Sequence, residues 1–165
     1  MKLKLNIGIA FLILLSSCSN INSADKAIAN ASEQIEIKQG QVLPITATAE
    51  IKGETIKLEV ARTPEQQALG LMFRESLTDD RGMLFPFQNQ RIARFWMKNV
   101  PISLDMIFIN GDRVIDIEQN VPGCKSEPCP TYGPETLVDG VIELRGGRAE
   151  ELGIKIDDKI LIKPY

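Results

Sequence analysis

Two carboxylates stand where the sequence pattern calls for hydrocarbon. Asp105 interrupts the apolar run Leu104–Ile109, and Glu143 sits inside Val141–Leu144. An unpaired carboxylate in such a strand is costly, so each needs a partner or a purpose. For Asp105 the natural partners by type are Arg74 and Lys98, which would make a structural ion pair. A carboxylate accepting backbone N–H groups is the other structural solution. The functional reading makes Asp105 a ligand-facing acid at a pocket mouth. Together, Asp105 and Glu143 could act as acid and base on a glycosidic bond, given a separation of roughly 5–9.5 Å.

The segment Phe95-Trp96-Met97-Lys98-Asn99 alternates its side chains between two faces of a strand. With Phe95 and Met97 inward, Trp96 beside Lys98 and Asn99 would suit a sugar or a planar ligand. With both faces covered, Trp96 would be core. Arg74, Trp96, Lys98, Asn99, Asp105 and Glu143 are therefore the candidate ligand-binding residues. Arg145-Gly146-Gly147-Arg148 could form an anion-binding turn at a helix start, although nothing else there resembles a nucleotide loop. Met72, Met83, Met97 and Met106 read as core filling rather than as a copper site.

The chain contains no histidine. That excludes Ser-His-Asp and Cys-His catalysis in their usual forms, and His-based catalytic zinc. Any catalysis must rest on carboxylates, Lys, Arg, Tyr or Cys, and no cofactor or metal is implied. Hydrophobic residues make up 44% and charged residues 25%, the composition of a globular protein with a core. The formal net charge of −3 argues against a nucleic-acid partner, since phosphate contacts need clustered Lys and Arg.

The elements that must position these residues are mainly strands. Ile45–Ile51 and Thr55–Ala61 read as a hairpin turning at Lys52-Gly53-Glu54. Thr63-Pro64-Glu65-Gln66 opens a helix with Pro at its first position and a capping box, running to about Leu71. Strands are expected at Met83–Phe87, Ile92–Met97, Leu104–Ile109 and Arg113–Glu118, the last two joined through Asn110-Gly111. A strand at Val138–Arg145, a short helix at Ala149–Leu152 and a strand at Lys159–Lys163 complete the list. Seven or more short strands with one or two short helices predict a compact β-sandwich or small barrel over residues 41–165.

Residues 1–17 read as an address. Lys2 and Lys4 precede an apolar run from Ile7 to Leu15, about half the roughly 20 residues a membrane-spanning helix needs. Leu15-Ser16-Ser17-Cys18 resembles the lipobox of bacterial lipoproteins, which implies lipidation of Cys18 and cleavage before it. Two or more acyl chains then hold a protein stably at a membrane. Ser19 after the cysteine resembles proteins sent to the outer membrane. Loss of Lys2 and Lys4 takes the formal charge from −3 to −5. Residues 18–40 read as a lipidated flexible tether, spanning on the order of 25 Å as a coil.

The two remaining cysteines, Cys124 and Cys129, lie in a loop from Val121 to Pro134 that holds four prolines. In an oxidising compartment an even pair reads as a disulfide. The spacing of four residues favours a structural bridge over a redox-active one.

Four ordered motifs carry a family resemblance: Gly70-Leu71-Met72-Phe73-Arg74, Gly82-Met83-Leu84-Phe85-Pro86-Phe87, Phe95–Asn99, and Leu104-Asp105. With Val141-Ile142-Glu143-Leu144, Gly146-Gly147 and Gly153, they resemble the domain of unknown function 192 family across residues 54–163. Val100 and Ser103 depart from that pattern, which has Thr and Pro there. The resemblance implies a compact β-sandwich-like fold and no particular activity. The expected function is a non-catalytic binding or assembly module of the cell envelope, membrane-anchored by lipid, with an envelope protein or glycan as ligand. The alternatives are a carboxylate-dependent hydrolase of an envelope polymer, using Asp105 and Glu143, and a purely structural lipoprotein.

Overall fold

A computed structural model describes residues 39–165. The expected signal (1–17), the lipidation site Cys18 and all but the end of the tether lie outside the described residues. No helix among the described residues is long and apolar enough to cross a membrane.

β1 (Ile45–Ile51) and β2 (Glu54–Val60) form a hairpin through Lys52 and Gly53. Both turn residues have positive φ (51° and 90°), the geometry that matches strand twist. Thr63 then caps α1 (Pro64–Leu69), with the complete Thr63/Gln66 capping box. The helix stops at Gly70, whose φ of 47° turns the chain. Because α1 and its following loop carry the chain back, β3 (Arg81–Ile92) pairs with β2 in parallel, from Lys57↔Arg81 to Val60↔Leu84. β5 (Leu104–Asn110) and β6 (Arg113–Val121) make the expected hairpin, turning at Gly111.

β8 (Leu137–Arg145) inserts between β5 and β3, antiparallel to both. After α2 (Arg148–Glu151), β9 (Leu161–Pro164) pairs with β1. The sheet order is β6-β5-β8-β3-β2-β1-β9. Side chains from β1, β2, β3, β5, β6 and β8 share one buried cluster, including Ile51, Leu58, Leu84, Ile107, Val114 and Ile142. Strands from opposite ends of the sheet can meet in this way only if it curls around that face. The two ends meet at a bridge between Arg113 and Lys159, where the Val114 N–H donates to the Asp158 carbonyl (3.0 Å). The mainly β architecture thus agrees with the sequence, and it takes the form of a curled half-barrel.

The other face carries Met83, Phe85, Met106, Phe108 and Val141, covered by Leu71, Ala93, Met97 and Val100 from the loops. Here the structure departs from the expected Ile92–Met97 strand. β3 runs to Ile92 with an irregularity between Pro86 and Arg91, since Pro86 offers no N–H to the ladder. The chain then turns a corner pinned by Arg94, which donates to the carbonyls of Ala93, Gly133 and Pro134. Only Phe95–Trp96 remains extended, as β4, paired with β7 (Thr131–Tyr132) in a separate two-stranded sheet. β7 lies inside the proline-rich loop, where no strand was expected.

Candidate functional site

Side chains alternate along a strand, and directly paired residues share a face. Asp105 pairs with Leu144, whereas Glu143 pairs with Met106 on one side and Met83 on the other. Leu144 belongs to the concave cluster, Met83 and Met106 to the outer one. The two carboxylates therefore point to opposite faces of the sheet and share no substrate position.

Asp105 is fully buried. Its Oδ1 accepts the N–H groups of Asn120 (2.6 Å) and Gly147 (3.0 Å), and its Oδ2 accepts that of Ala149 (2.6 Å). Backbone donors satisfy it, so the expectation of Arg74 or Lys98 as its partner is corrected. The Gly146-Gly147 turn does hold an anion, but the anion is the chain's own Asp105. Arg145 and Arg148 turn outward: Arg145 pairs with Asp79 and Glu151, and Arg148 with Glu151 (3.2 Å).

Arg74 instead clamps Glu59, with Nη2 donating to Oε1 at 2.9 Å and Nη1 to Oε2 at 3.2 Å. Nη1 also donates to the Gln41 carbonyl (2.7 Å), while Glu59 Oε2 accepts the Leu43 N–H (2.7 Å). Gln41 reaches across to the carbonyls of Gln66 (2.8 Å) and Gly70 (2.9 Å). Residues 41–43 are thus strapped over the end of α1. Glu59 reads from sequence as the solvent-side residue of a half-buried strand. It is buried because this strap covers it.

Glu143 is treated in the opposite way. It is 4% exposed, and no hydrogen bond or ion pair among the described residues engages its carboxyl. No fully buried side-chain oxygen or nitrogen is left without a partner among those residues. The Glu143 oxygens therefore meet open space, and a cavity of about 30 Å³ provides it. The rings of Phe85, Phe95 and Trp96 line that cavity, with Gln67, Leu71 and Met72 from α1 and its following loop. Burial among these groups pushes the Glu143 carboxyl up to about 8 from its ordinary 4.5, so it is protonated at neutral pH. Gln67 is a cavity residue the sequence reading missed. Its amide donates to the carbonyls of Ala61 (3.1 Å) and Pro86 (2.9 Å) and pins α1 over the sheet.

Of the remaining candidates, Trp96 stands at the cavity rim, 46% exposed, so it is not core. Lys98 pairs with Glu127 and places its ammonium 5.2 Å from the Trp96 ring centroid. Asn99 lines a separate, shallower depression of about 390 Å³ with Phe73, Glu75, Cys124 and Lys125. Both Phe73 (φ 62°) and Asn99 (φ 58°) are left-handed, and the Phe73 N–H donates to the Asn99 carbonyl (2.8 Å). Such backbone is strained for phenylalanine and persists only where neighbours hold it. Val100 forms a wall shared by both hollows. Cys124 and Cys129 are joined in a disulfide beside the shallower one.

A family model described as uncharacterized ACR, DUF192, matches residues 45–162. The chain belongs to the DUF192 family. A search of curated proteins finds no match. Two crystal structures share the fold of this DUF192 domain. One is a protein of unknown function from Novosphingobium aromaticivorans, 37% identical over 70% of this chain and 83% of that one, with a TM-score of 0.64. The other, from Sinorhizobium meliloti, is described as a candidate transcription regulator; it is 31% identical over 74% of this chain and 97% of that one, TM-score 0.65. The DUF192 motifs read from sequence converge here: Gly70–Met72 walls the cavity, Phe85 and Phe95-Trp96 supply its rings, and Glu143 faces into it.

Proposed function

We propose that this chain is an exported lipoprotein whose DUF192 domain is a non-catalytic binding module, with the Glu143 cavity as its binding site. The observation that carries this reading is the make-up of the cavity. One carboxyl faces three aromatic rings, and among the described residues no second acid, base or nucleophile lines the walls. Two-carboxylate glycoside cleavage needs both groups on one substrate. The other candidate, Asp105, lies on the opposite face with its oxygens already engaged. Binding needs only an apolar wall and a directional polar group, which is what the cavity offers. Export and lipid anchoring rest on the Lys2/Lys4 apolar signal and the lipobox-like run ending in Cys18. A net charge of −3 lends no support to a nucleic-acid role of the kind suggested by the Sinorhizobium protein's description.

Crystals soaked with a library of small molecules and glycans test the site. A ligand should occupy the Glu143 cavity, and Trp96→Ala should weaken it by about tenfold, the loss of one aromatic contact. Ligands found only elsewhere, or indifferent to Trp96→Ala, refute the assignment. For the anchor, Cys18→Ala should release the protein from membranes and abolish labelling by a fatty-acid analogue. Retained labelling refutes it.

A further inference from the structure

The cavity is too small for a sugar ring. About 30 Å³ of it is open to the centre of a water-sized group, so it admits the tip of a ligand. That tip meets Glu143 at the interior and aromatic carbon around it, with Phe85 and Phe95 packed edge to face at 5.1 Å between centroids. At the mouth, the Trp96 ring already has an ammonium beside it, that of Lys98 at 5.2 Å.

We propose that the cavity recognises the tip of a primary alkylammonium, with the Glu143 carboxylate as counter-ion and the aromatic rings around the adjoining carbon. The inference rests on the binding-module reading above and names the ligand class. An ammonium is water-sized and offers three donors to a carboxylate, which is an acceptor only. A quaternary ammonium has no N–H to give. Among the described residues no cation fills the role. Arg74 is held by Glu59, Lys98 by Glu127, and Arg145, farther along β8, by Asp79 and Glu151. Arg81 at the start of β3 does not line the cavity, nor does any of the other three. Among the described residues Glu143 is thus a buried carboxyl without a counter-ion, at a cavity that admits a small polar tip.

In the empty site Glu143 carries a proton at neutral pH, and an incoming ammonium displaces it to solvent. Affinity should therefore rise with pH by up to about tenfold per unit until the carboxyl ionises unaided. That plateau begins near pH 8.

Trp96 is the only tryptophan in the chain and sits at the rim, so its fluorescence reports occupancy. The full-length chain in neutral detergent is titrated with n-butylammonium chloride, against 1-butanol, tetramethylammonium chloride and sodium chloride. The expected result is a saturable change with n-butylammonium alone, strengthening by roughly tenfold per pH unit between about pH 6 and 8 and lost in Glu143→Gln. Ala68→Phe, at an exposed rim position, should also abolish it, and supplies the test if Glu143→Gln perturbs folding. Equal responses to n-butylammonium and tetramethylammonium, or a response retained in both variants, overturn the proposal. A saturable response to 1-butanol without one to n-butylammonium sinks the ammonium class and leaves the binding cavity standing. Silence from every probe removes both.

Discussion

Replacing Glu143 by glutamine should stabilise the protein in a way that depends on pH. The carboxyl is held at about 8 in the folded chain against an ordinary 4.5. At about 1.4 kcal/mol per pH unit, that gap comes to about 5 kcal/mol, a ceiling that water admitted at the cavity mouth lowers. The sign follows from which state holds the proton. Below pH 4.5 both folded and unfolded chains are protonated at this site, and it contributes nothing. Between 4.5 and 8 the unfolded chain ionises while the folded one does not, so stability falls as pH rises. Above 8 both are ionised and the loss is complete. Glutamine keeps the shape and never ionises. Urea unfolding of the two proteins from pH 4 to 9 should show stabilities that coincide near pH 4. The variant should then gain progressively, by several kcal/mol, up to pH 8. Asp79, Asp80, Glu127, Glu151 and Asp158 are held below their ordinary range by hydrogen bonds to neighbouring groups. Their contribution fades toward acid, but equally in both proteins, so the difference isolates position 143. A gap that changes by less than about 1 kcal/mol across the range would falsify the account of a buried, unpaired carboxyl.

Three further tests read other parts of the same structure. Asp105→Asn puts an amide donor where the carboxylate accepted three N–H groups; it should cost about 2–3 kcal/mol, and an unchanged melting temperature would contradict that cage. Arg74→Met leaves Glu59 buried with only the Leu43 N–H and should cost about 3 kcal/mol in chemical unfolding; a loss under about 1 kcal/mol would show the clamp to be idle. The folded chain should present no free thiol at Cys124 or Cys129, and the double serine variant should lose about 2 kcal/mol, the chain-entropy value for so short a ring.

Much of the scaffold was legible because its signals are local. Lys52-Gly53, the Thr63/Gln66 box and Asn110-Gly111 each dictate a turn or cap within a few residues, and each sits where the sequence places it. The corner after Ile92 was not legible. Its cause is Arg94 reaching carbonyls about 40 residues away, which no window on the sequence contains. Glu59 shows the same limit. Its strand alternates as a half-exposed one should, yet residues 41–43 return to cover the outer side. Likewise Trp96 at the rim and Glu143 at the floor are brought together by β8 inserting between β3 and β5. The sequence names both residues as candidates, but only the sheet order makes them neighbours.

Asp105 and Glu143 make an internal comparison, since they occupy adjacent rungs of one strand pair and are almost equally buried. Asp105 is met by three backbone donors from two separate segments, which ties α2 and the end of β6 to the sheet. A carboxylate so placed strengthens the fold, and its chemistry is spent inside it. Glu143 ties nothing together. It weakens the fold at neutral pH, and a methionine such as its neighbours Met83 and Met106 would fill the space without that cost. A destabilising polar group at the end of a cavity is where folding and binding requirements diverge. The β5–β8 rungs thus differ by face: on the concave side Asp105 ties α2 and the end of β6 to the sheet, and on the outer side Glu143, which makes no such ties, is the group that the proposed ligand would meet.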